Sequence, residues 1–439
     1  MVETASKKPK TTSIGSLNCS SKTPSSSSSS SPSHSEMISW LRTHSTDGIP
    51  WLSNLEIRPS SDGSGDGIFA LKGLDSNDLI AHVPKSACIT PSVAINSPIG
   101  HAFTSLFPQH TPLSNPLTSI STSPLPPSPN RWTYESLLIW LYLSTGLSDL
   151  TNPHHIYINS LPQISPCVSS WSSEYVDMLK GTNLHQTATA EIQFFNTLTT
   201  LLLPFLHQNP LFKNVTHSSL RWAKSMYNSR RYPLTLLSIN TPSSEGCLIP
   251  FVDLFNHNPG VKITWKPVED GVQFMTNQIV EKGRQVHNNY GPKSNGTLMF
   301  IYGFFIEGNL FDTYTLHLKG GDDISYGVFE IRRKECLIGE QFDSRLWEVL
   351  RDILYEVDSG DEGEGVGVEE VEVLLKTLKG RLEEIQQIID GTTELESEGV
   401  NEYERIAIRG YIDGQKLVLE EAVETLEEML EGVEDEEEG

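Results

Sequence analysis

Cysteine is scarce in this chain: Cys19, Cys88, Cys167, Cys247 and Cys336 are spread over 439 residues, with no Cys-x-x-Cys pair among them. An odd, scattered set argues against a disulfide framework and against a clustered zinc site, and it points to a reducing compartment. Long apolar runs are missing too, and no signal-peptide core follows the first residues, so the expectation is a soluble protein of the cytoplasm or nucleus with no membrane attachment. A Gly-Lys-Ser/Thr phosphate loop is absent. The glycines of Gly63-Ser64-Gly65-Asp66-Gly67 lead into the β-rich Ile68-Phe69-Ala70 and not into a helix, which disfavours both the phosphate-loop and the dinucleotide readings. Positive charge is in short supply: 32 Lys and Arg face 56 Asp and Glu, a net of -24, which argues against direct binding to nucleic acid.

What is present is unevenly distributed. Residues 351–439 carry 29 acidic and 7 basic side chains, whereas the preceding 350 residues carry 27 and 25. Within the acidic fifth, Leu374, Leu375, Leu378, Leu382, Ile385 and Ile389, then Leu417, Leu419, Val423, Leu426 and Leu430, fall at helical spacing. They predict amphipathic helices over Val371–Ile389 and Tyr411–Leu430. Their acidic faces read as solvated surface, or as a surface that favours a basic partner; both readings stand. Glu434 to Glu438 reads as a disordered acidic tail. Residues 1–35 are rich in Ser, Thr and Pro, with an unbroken Ser25–Ser31, and hold too little apolar surface to order themselves. Lys7-Lys8-Pro9-Lys10 within them is a chance basic cluster or a short import patch. A second Ser/Pro stretch, 108–130, reads as a long surface loop.

The chemistry-bearing residues lie further on. Leu248 to His257 reads as a buried apolar strand ending on Asn256-His257, with a turn at Asn258-Pro259-Gly260. Such a pair commonly does no more than satisfy neighbouring backbone groups. Here it is followed by a strand over Phe274–Val280, a turn at Glu281-Lys282-Gly283, and a strand over Gln285–Tyr290 ending on an exposed Tyr. A short helix then leads into Tyr302-Gly303-Phe304-Phe305. Two tyrosines and a phenylalanine converging on Asn-His exceed what packing alone requires.

On these motifs the sequence resembles the SET-domain lysine methyltransferases, in the branch of the Rubisco large-subunit and ribosomal-protein lysine methyltransferases. The resemblance takes in the glycine turn running to Leu79-Ile80-Ala81-His82-Val83-Pro84, the apolar Trp132–Tyr142, Tyr157-Ile158-Asn159-Ser160-Leu161-Pro162, Trp171–Leu184, and Trp222 to Tyr232. It implies an α+β SET fold of small twisted sheets with a knot-like crossing, a helical insertion and a helical C-terminal lobe. The corresponding division is a tail (1–35), the N-terminal part of the SET domain (36–95), loop and insertion (96–218), the C-terminal part with the motifs (219–320), a substrate-binding lobe (330–430) and an acidic tail (431–439).

The resemblance further implies methylation of a lysine in a protein, with S-adenosyl-L-methionine as donor and no metal. A non-histone substrate, such as a ribosomal protein or elongation factor, is expected. Histone-lysine methylation, histidine methylation and a catalytically silent scaffold are the alternatives, and a monomer is expected. Tyr290 matches the catalytic tyrosine, whose hydroxyl sits near the transferring methyl, and is thereby a donor-binding position as well. Asn256, His257, Arg230 and Phe304 match donor-binding positions, as do Ser64 and Asp66 in the glycine turn; Ser229, Asp253 and Tyr302 match the substrate side. Arg231 leaves the arginine's register open by one. Three residues depart from the pattern: Ser64 stands where Glu is frequent, Gln285 where an acid is common, and Gly296 where a better helix former is usual.

Overall fold

The computed structural model describes residues 34–60, 65–107, 133–237, 245–319, 325–336, 338–355, 366–392 and 402–438. Residues 1–33 of the expected tail, Ser64 and the expected 108–130 loop lie outside them. The chain enters by a helix, α1 (His34–His44), which begins two residues inside the stretch expected to be a tail.

Two small antiparallel sheets frame the site. In the first, β1 (Leu55–Pro59), β2 (Asp66–Ala70) and β8 (Gln285–Val286) are neighbours in that order, with Ile57 opposite Ile68 and Ile68 opposite Val286. In the second, β3 (Leu79–Pro84) pairs with β7 (Gly271–Thr276), which pairs with β6 (Ile263–Pro267). A short ladder of β4 (Arg231–Pro233) and β5 (Gly246–Leu248) lies between the site helix and the crossing. A further hairpin, β9 (Thr313–Lys319) with β10 (Ser325–Arg332), serves the C-terminal lobe and has no counterpart among the sequence expectations.

Helices fill the long interval between β3 and β6. After α2 (Pro91–Ile95) and α3 (Pro98–Leu106) comes α4 (Tyr134–Gly146), in which Leu137 to Leu143 are all buried. A helix apolar all round is a central one, and α4 occupies that position. α5 (His155–Ser160), α6 (Ser173–Asp177) and the long α7 (Asn183–Leu206) follow, and α8 (His217–Arg230) returns the chain to the sheets. Both α4 and α8 start on a reciprocal cap: the Thr133 and Thr216 hydroxyls accept from Ser136 and Ser219 N–H while those serines bond back. Such caps satisfy end donors that water would otherwise have to reach.

A three-residue helix α9 (Asn295–Thr297) runs into a π-turn, Leu298–Tyr302. The C-terminal lobe is α10 (Ser344–Tyr355), α11 (Val368–Thr392) and α12 (Glu402–Glu438). Leu374, Leu378, Ile385 and Ile389 are buried together with Ile408, Ile412, Leu419 and Leu426, the periodic residues the sequence singled out among them. That apolar cluster also takes in Val168 to Ala188 and Met299-Phe300, so the lobe is continuous with part of the insertion. Contrary to the expected tail, α12 continues through Glu434–Glu438. Glutamate is a good helix former and only Gly432 interrupts the last turns, so nothing local stops the helix. Among the described residues no helix is long and apolar enough to cross a membrane.

Candidate active site

Two backbone segments cross at the centre of the site. Asn258 N–H donates to the Asn288 carbonyl and Asn288 N–H to the Asn256 carbonyl, both at 2.9 Å, which lays His257 alongside Asn288 in parallel. The Asn288 side chain is 1% exposed: its Oδ1 accepts from Trp265 Nε1 at 3.2 Å, and its Nδ2 donates to the Tyr232 hydroxyl at 3.1 Å. The strand expected to lead up to Asn256 stops at Leu248. Phe251 sits at φ 73°, and a single helical turn, Val252–Leu254, follows. A non-glycine residue in the left-handed region is costly and ends any ladder. The strand expected over Gln285–Tyr290 is likewise only two residues of ladder, and Phe274–Val280 ends as a strand at Thr276.

His257 is 6% exposed, and its Nδ1 accepts from Tyr290 N–H at 3.0 Å. Burial lowers its pKa to about 4, despite a backbone hydrogen bond at Asn288 that favours the charged form. A proton on Nδ1 would also cost the bond from Tyr290, so this imidazole is a neutral structural acceptor. The folded pKa lies below the ordinary 6.5, so the unfolded chain takes up the proton first. Stability from this residue is therefore complete above pH 6.5 and is lost as pH falls towards 4, at no more than about 1.4 kcal/mol per pH unit. His154, also lowered to about 4, adds to this slope, and Asp312, raised to about 6, opposes it. Denaturant titrations at pH 7 and pH 5 should accordingly show a smaller acid loss for His257→Asn than for the unaltered protein; equal losses would remove His257 from the account.

The His257 ring stacks on Tyr290 with centroids 4.8 Å apart and 14° between planes. Tyr290 is half-buried and not exposed as the sequence suggested: its phenol turns inward and donates to the Phe255 carbonyl at 2.8 Å, and burial raises its pKa. The backbone beyond it is freed to turn by Gly291 at φ 90°. Tyr302 lies 4.9 Å from the Tyr290 ring, its pKa pushed up to about 12 by burial. Phe304 closes the group at 6.3 Å from Tyr302 and 6.2 Å from His257.

The charged side of the site comes from the end of α8. Arg230 Nε stands 3.7 Å from the Asp253 carboxylate, and its Nη1 donates to Ser229 Oγ at 2.8 Å. Asp253 is almost fully buried; burial raises its pKa, while Arg230 and a hydrogen bond from Tyr157 counteract the rise. That bond, Tyr157 Oη to Asp253 Oδ2 at 3.0 Å, brings into the site a residue that the sequence placed only in the helical insertion. Arg231, the other register, lies in β4 with its guanidinium 5.8 Å from the Tyr227 ring.

The glycine turn forms the opposite wall. Asn256 Nδ2 donates to the Asp66 carbonyl at 3.3 Å, and a Cβ on Gly67 would fall 2.3 Å from Gln285 Nε2 and 3.1 Å from Asn256 Nδ2. Only glycine allows the amides and the turn to approach so closely. Gln285 thus fills the space beside the turn, and its Nε2 is buried without a hydrogen-bond partner among the described residues. The Asp66 carboxylate is taken up by His34 of α1, Nε2 to Oδ2 at 2.7 Å, a contact for which the sequence offers no signal. A Cβ on Gly296 would meet Tyr411 at 3.7 Å and Ser294 Oγ at 3.9 Å, both ordinary contacts, so nothing there demands glycine. The structure therefore brings Asp66, Ser229, Arg230, Asp253, Asn256, His257, Tyr290, Tyr302 and Phe304 to one place, from segments more than 200 residues apart.

The architecture that holds this site is the SET fold. It superposes on the crystal structure of the SET domain of LSMT bound to lysine and AdoHcy with a TM-score of 0.65 over 91% of this chain and 92% of that one, at 22% identity. By sequence several of its relatives are named as protein-lysine methyltransferases. The chain is 34% identical over 124 residues to ribosomal lysine N-methyltransferase set10 of Schizosaccharomyces pombe, 28% of this chain and 22% of that protein. It is 33% identical over 109 residues to ribosomal lysine N-methyltransferase 1 of Saccharomyces cerevisiae, 25% and 19% of the two lengths. Over 270 residues it is 25% identical to the Rubisco large subunit N-methyltransferase of Pisum sativum, 58% and 48% of the two. The matches thus span from about a fifth to about half of these relatives' lengths. No family profile matches the chain.

Proposed function

We propose that this chain transfers methyl groups from S-adenosyl-L-methionine to a lysine side chain of a non-histone protein, with a basic ribosomal protein or an elongation factor as the substrate class. The observation that carries the reading is the pairing of two inward-turned phenols, Tyr290 and Tyr302, beside the buried Asp253–Arg230 couple at the chain crossing. The names of the sequence relatives support it.

The residues present fit such a donor. The Gln285 Nε2, whose amide oxygen accepts from Ser60, the Asn256 amide and the side-chain-free Gly67 make a polar wall against which an amino-acid group can lie. Arg230 would hold the donor's carboxylate, Asn256 with the Asp66 and His257 backbone its amine and nucleoside, and Phe304 its adenine ring. S-adenosylmethionine, when bound, supplies a methyl group on a sulfonium that an amine displaces in line. The chain's own residues orient that amine and exclude water from it.

Neither tyrosine is a base at neutral pH, since burial holds both phenols protonated. The lysine must therefore arrive neutral, and its ordinary pKa of about 10.4 keeps the neutral fraction small near pH 7. With saturating donor, initial rates should rise with pH from 7 towards 9. A flat profile over that range would contradict a neutral-amine mechanism. The reading itself is tested by incubating the protein with methyl-labelled donor and a ribosomal extract, then identifying the labelled residue by mass spectrometry. Label on lysine is the expected result; label on histidine, or none, overturns the reading.

A further inference from the structure

The π-turn Leu298–Tyr302 closes on Gly303 N–H, which donates to the Leu298 carbonyl at 2.8 Å. It ends there because Gly303 adopts φ 82°, and a Cβ at this position would fall 2.6 Å from Pro166. A helix end leaves carbonyls that must find partners elsewhere. The two carbonyls flanking Tyr302 find them in the two helical parts of the molecule. Cys167, 2% exposed in the insertion, donates its Sγ–H to the Ile301 carbonyl at 2.8 Å, and Ser225 Oγ in turn donates to Cys167 Sγ at 3.3 Å. Tyr403, in the first turn of α12, donates its hydroxyl to the Gly303 carbonyl at 2.6 Å. Seven residues further along α12, a Cβ on Gly410 would collide with the Phe305 ring at 2.1 Å, so the same helix also seats that ring.

We infer that Tyr403 and Cys167 are positioning residues for the methyl transfer proposed above. Between them they fix the peptide group that precedes Tyr302 and the one that follows Gly303, and Tyr403 supplies a hydrogen bond by which the C-terminal lobe holds the Tyr302 wall of the proposed site. The inference rests on the proposed function for its kinetic consequence and on the geometry alone for its local one.

The test compares Tyr403→Phe, Cys167→Ala and Cys167→Ser with the unaltered full chain. Losing one neutral hydrogen bond that steadies a reacting wall should lower kcat about 5-fold in Tyr403→Phe and in Cys167→Ala. KM for the donor should stay within about 2-fold, and the ratio of mono- to higher-methylated lysine should shift, because the channel wall is looser. Cys167→Ser, which keeps a donor, should recover most of the rate. Amide hydrogen exchange over residues 298–305 should be faster in Tyr403→Phe while remaining unchanged in β1 to β3. Unchanged kcat, product ratio and exchange in Tyr403→Phe would overturn the inference, as would a loss spread evenly over all amides, which marks general destabilisation. Should the unaltered chain methylate no lysine, the functional reading fails, and the exchange result alone then decides whether Tyr403 positions this segment.

Discussion

Tyr290→Phe is expected to lower kcat for lysine methylation by about 100- to 1,000-fold while leaving donor binding nearly intact. The ring stays: it stacks on His257 at 4.8 Å and faces Tyr302 at 4.9 Å, so Phe keeps the walls of the site. The backbone N–H that donates to His257 is untouched. Only the hydroxyl is lost, and with it the bond to the Phe255 carbonyl. Removing one well-placed polar group aimed at a reacting centre typically costs two to three orders of magnitude in kcat, about 3–4 kcal/mol. Loss of the bond to Phe255 costs stability only about 1 kcal/mol, so the variant should fold. Calorimetric titration with the donor, beside turnover of labelled substrate, separates the two effects. Turnover equal to that of the unaltered protein would remove Tyr290 from the chemistry, and failure to bind donor would show that the hydroxyl serves binding.

The second large effect is on stability. Lys224 of α8 and Glu191 of α7 form an ion pair in which both side chains are about 5% exposed. The ammonium also lies 6.0 Å from the Trp140 ring and 5.7 Å from the Phe195 ring. Two charges taken out of water are held by each other and by aromatic faces, a costly arrangement that fails when one member goes. Lys224→Met should destabilise the fold by about 3–5 kcal/mol, through the carboxylate left behind. Lys224→Met combined with Glu191→Leu should recover most of this loss, because apolar residues of similar volume fill the same space without the charge. Denaturant unfolding of the two variants decides the point. A double variant no better than the single one would mean that the pair contributes specific geometry and not a charge balance. The pair ties the insertion to the helix that delivers Ser229 and Arg230, so activity should fall with stability in the single variant and return in the double.

What the sequence announced was the set of residues with unusual local demands. Glycines at forced turns, the Asn-His pair and tyrosines next to turn residues mark themselves by type, and the apolar periodicity of α11 and α12 needs no tertiary information. The features it hid depend on distant partners. Phe251 offers no local reason for φ 73°, and the two-residue length of β8 follows from the Asn288 backbone pairing with Asn256 and Asn258 instead of continuing along β2. Tyr157 reaches Asp253 across 96 positions, His34 reaches Asp66 across 32, and Tyr403 reaches Gly303 across 100. The β9 half of the β9–β10 hairpin alternates regularly, Tyr314, Leu316 and Leu318 against Thr313, Thr315 and His317, whereas β10 breaks the pattern with Tyr326 and Val328 exposed, so no matching pair of strands announced itself. For Tyr157 and Tyr403 a hydroxyl on an otherwise apolar side chain was the local hint.

The pairing of Ile68 with Val286 has a consequence for biosynthesis. At about 5–20 residues per second, the strand bearing the glycine turn leaves the ribosome roughly ten to forty seconds before its partner does. During that interval the insertion can build its own core around α4, but β2 keeps an open edge on the side of the proposed site. The nascent chain is therefore exposed to misassociation at that edge, and a chaperone that shields β2 would improve its yield more than one that acts on the C-terminal helices.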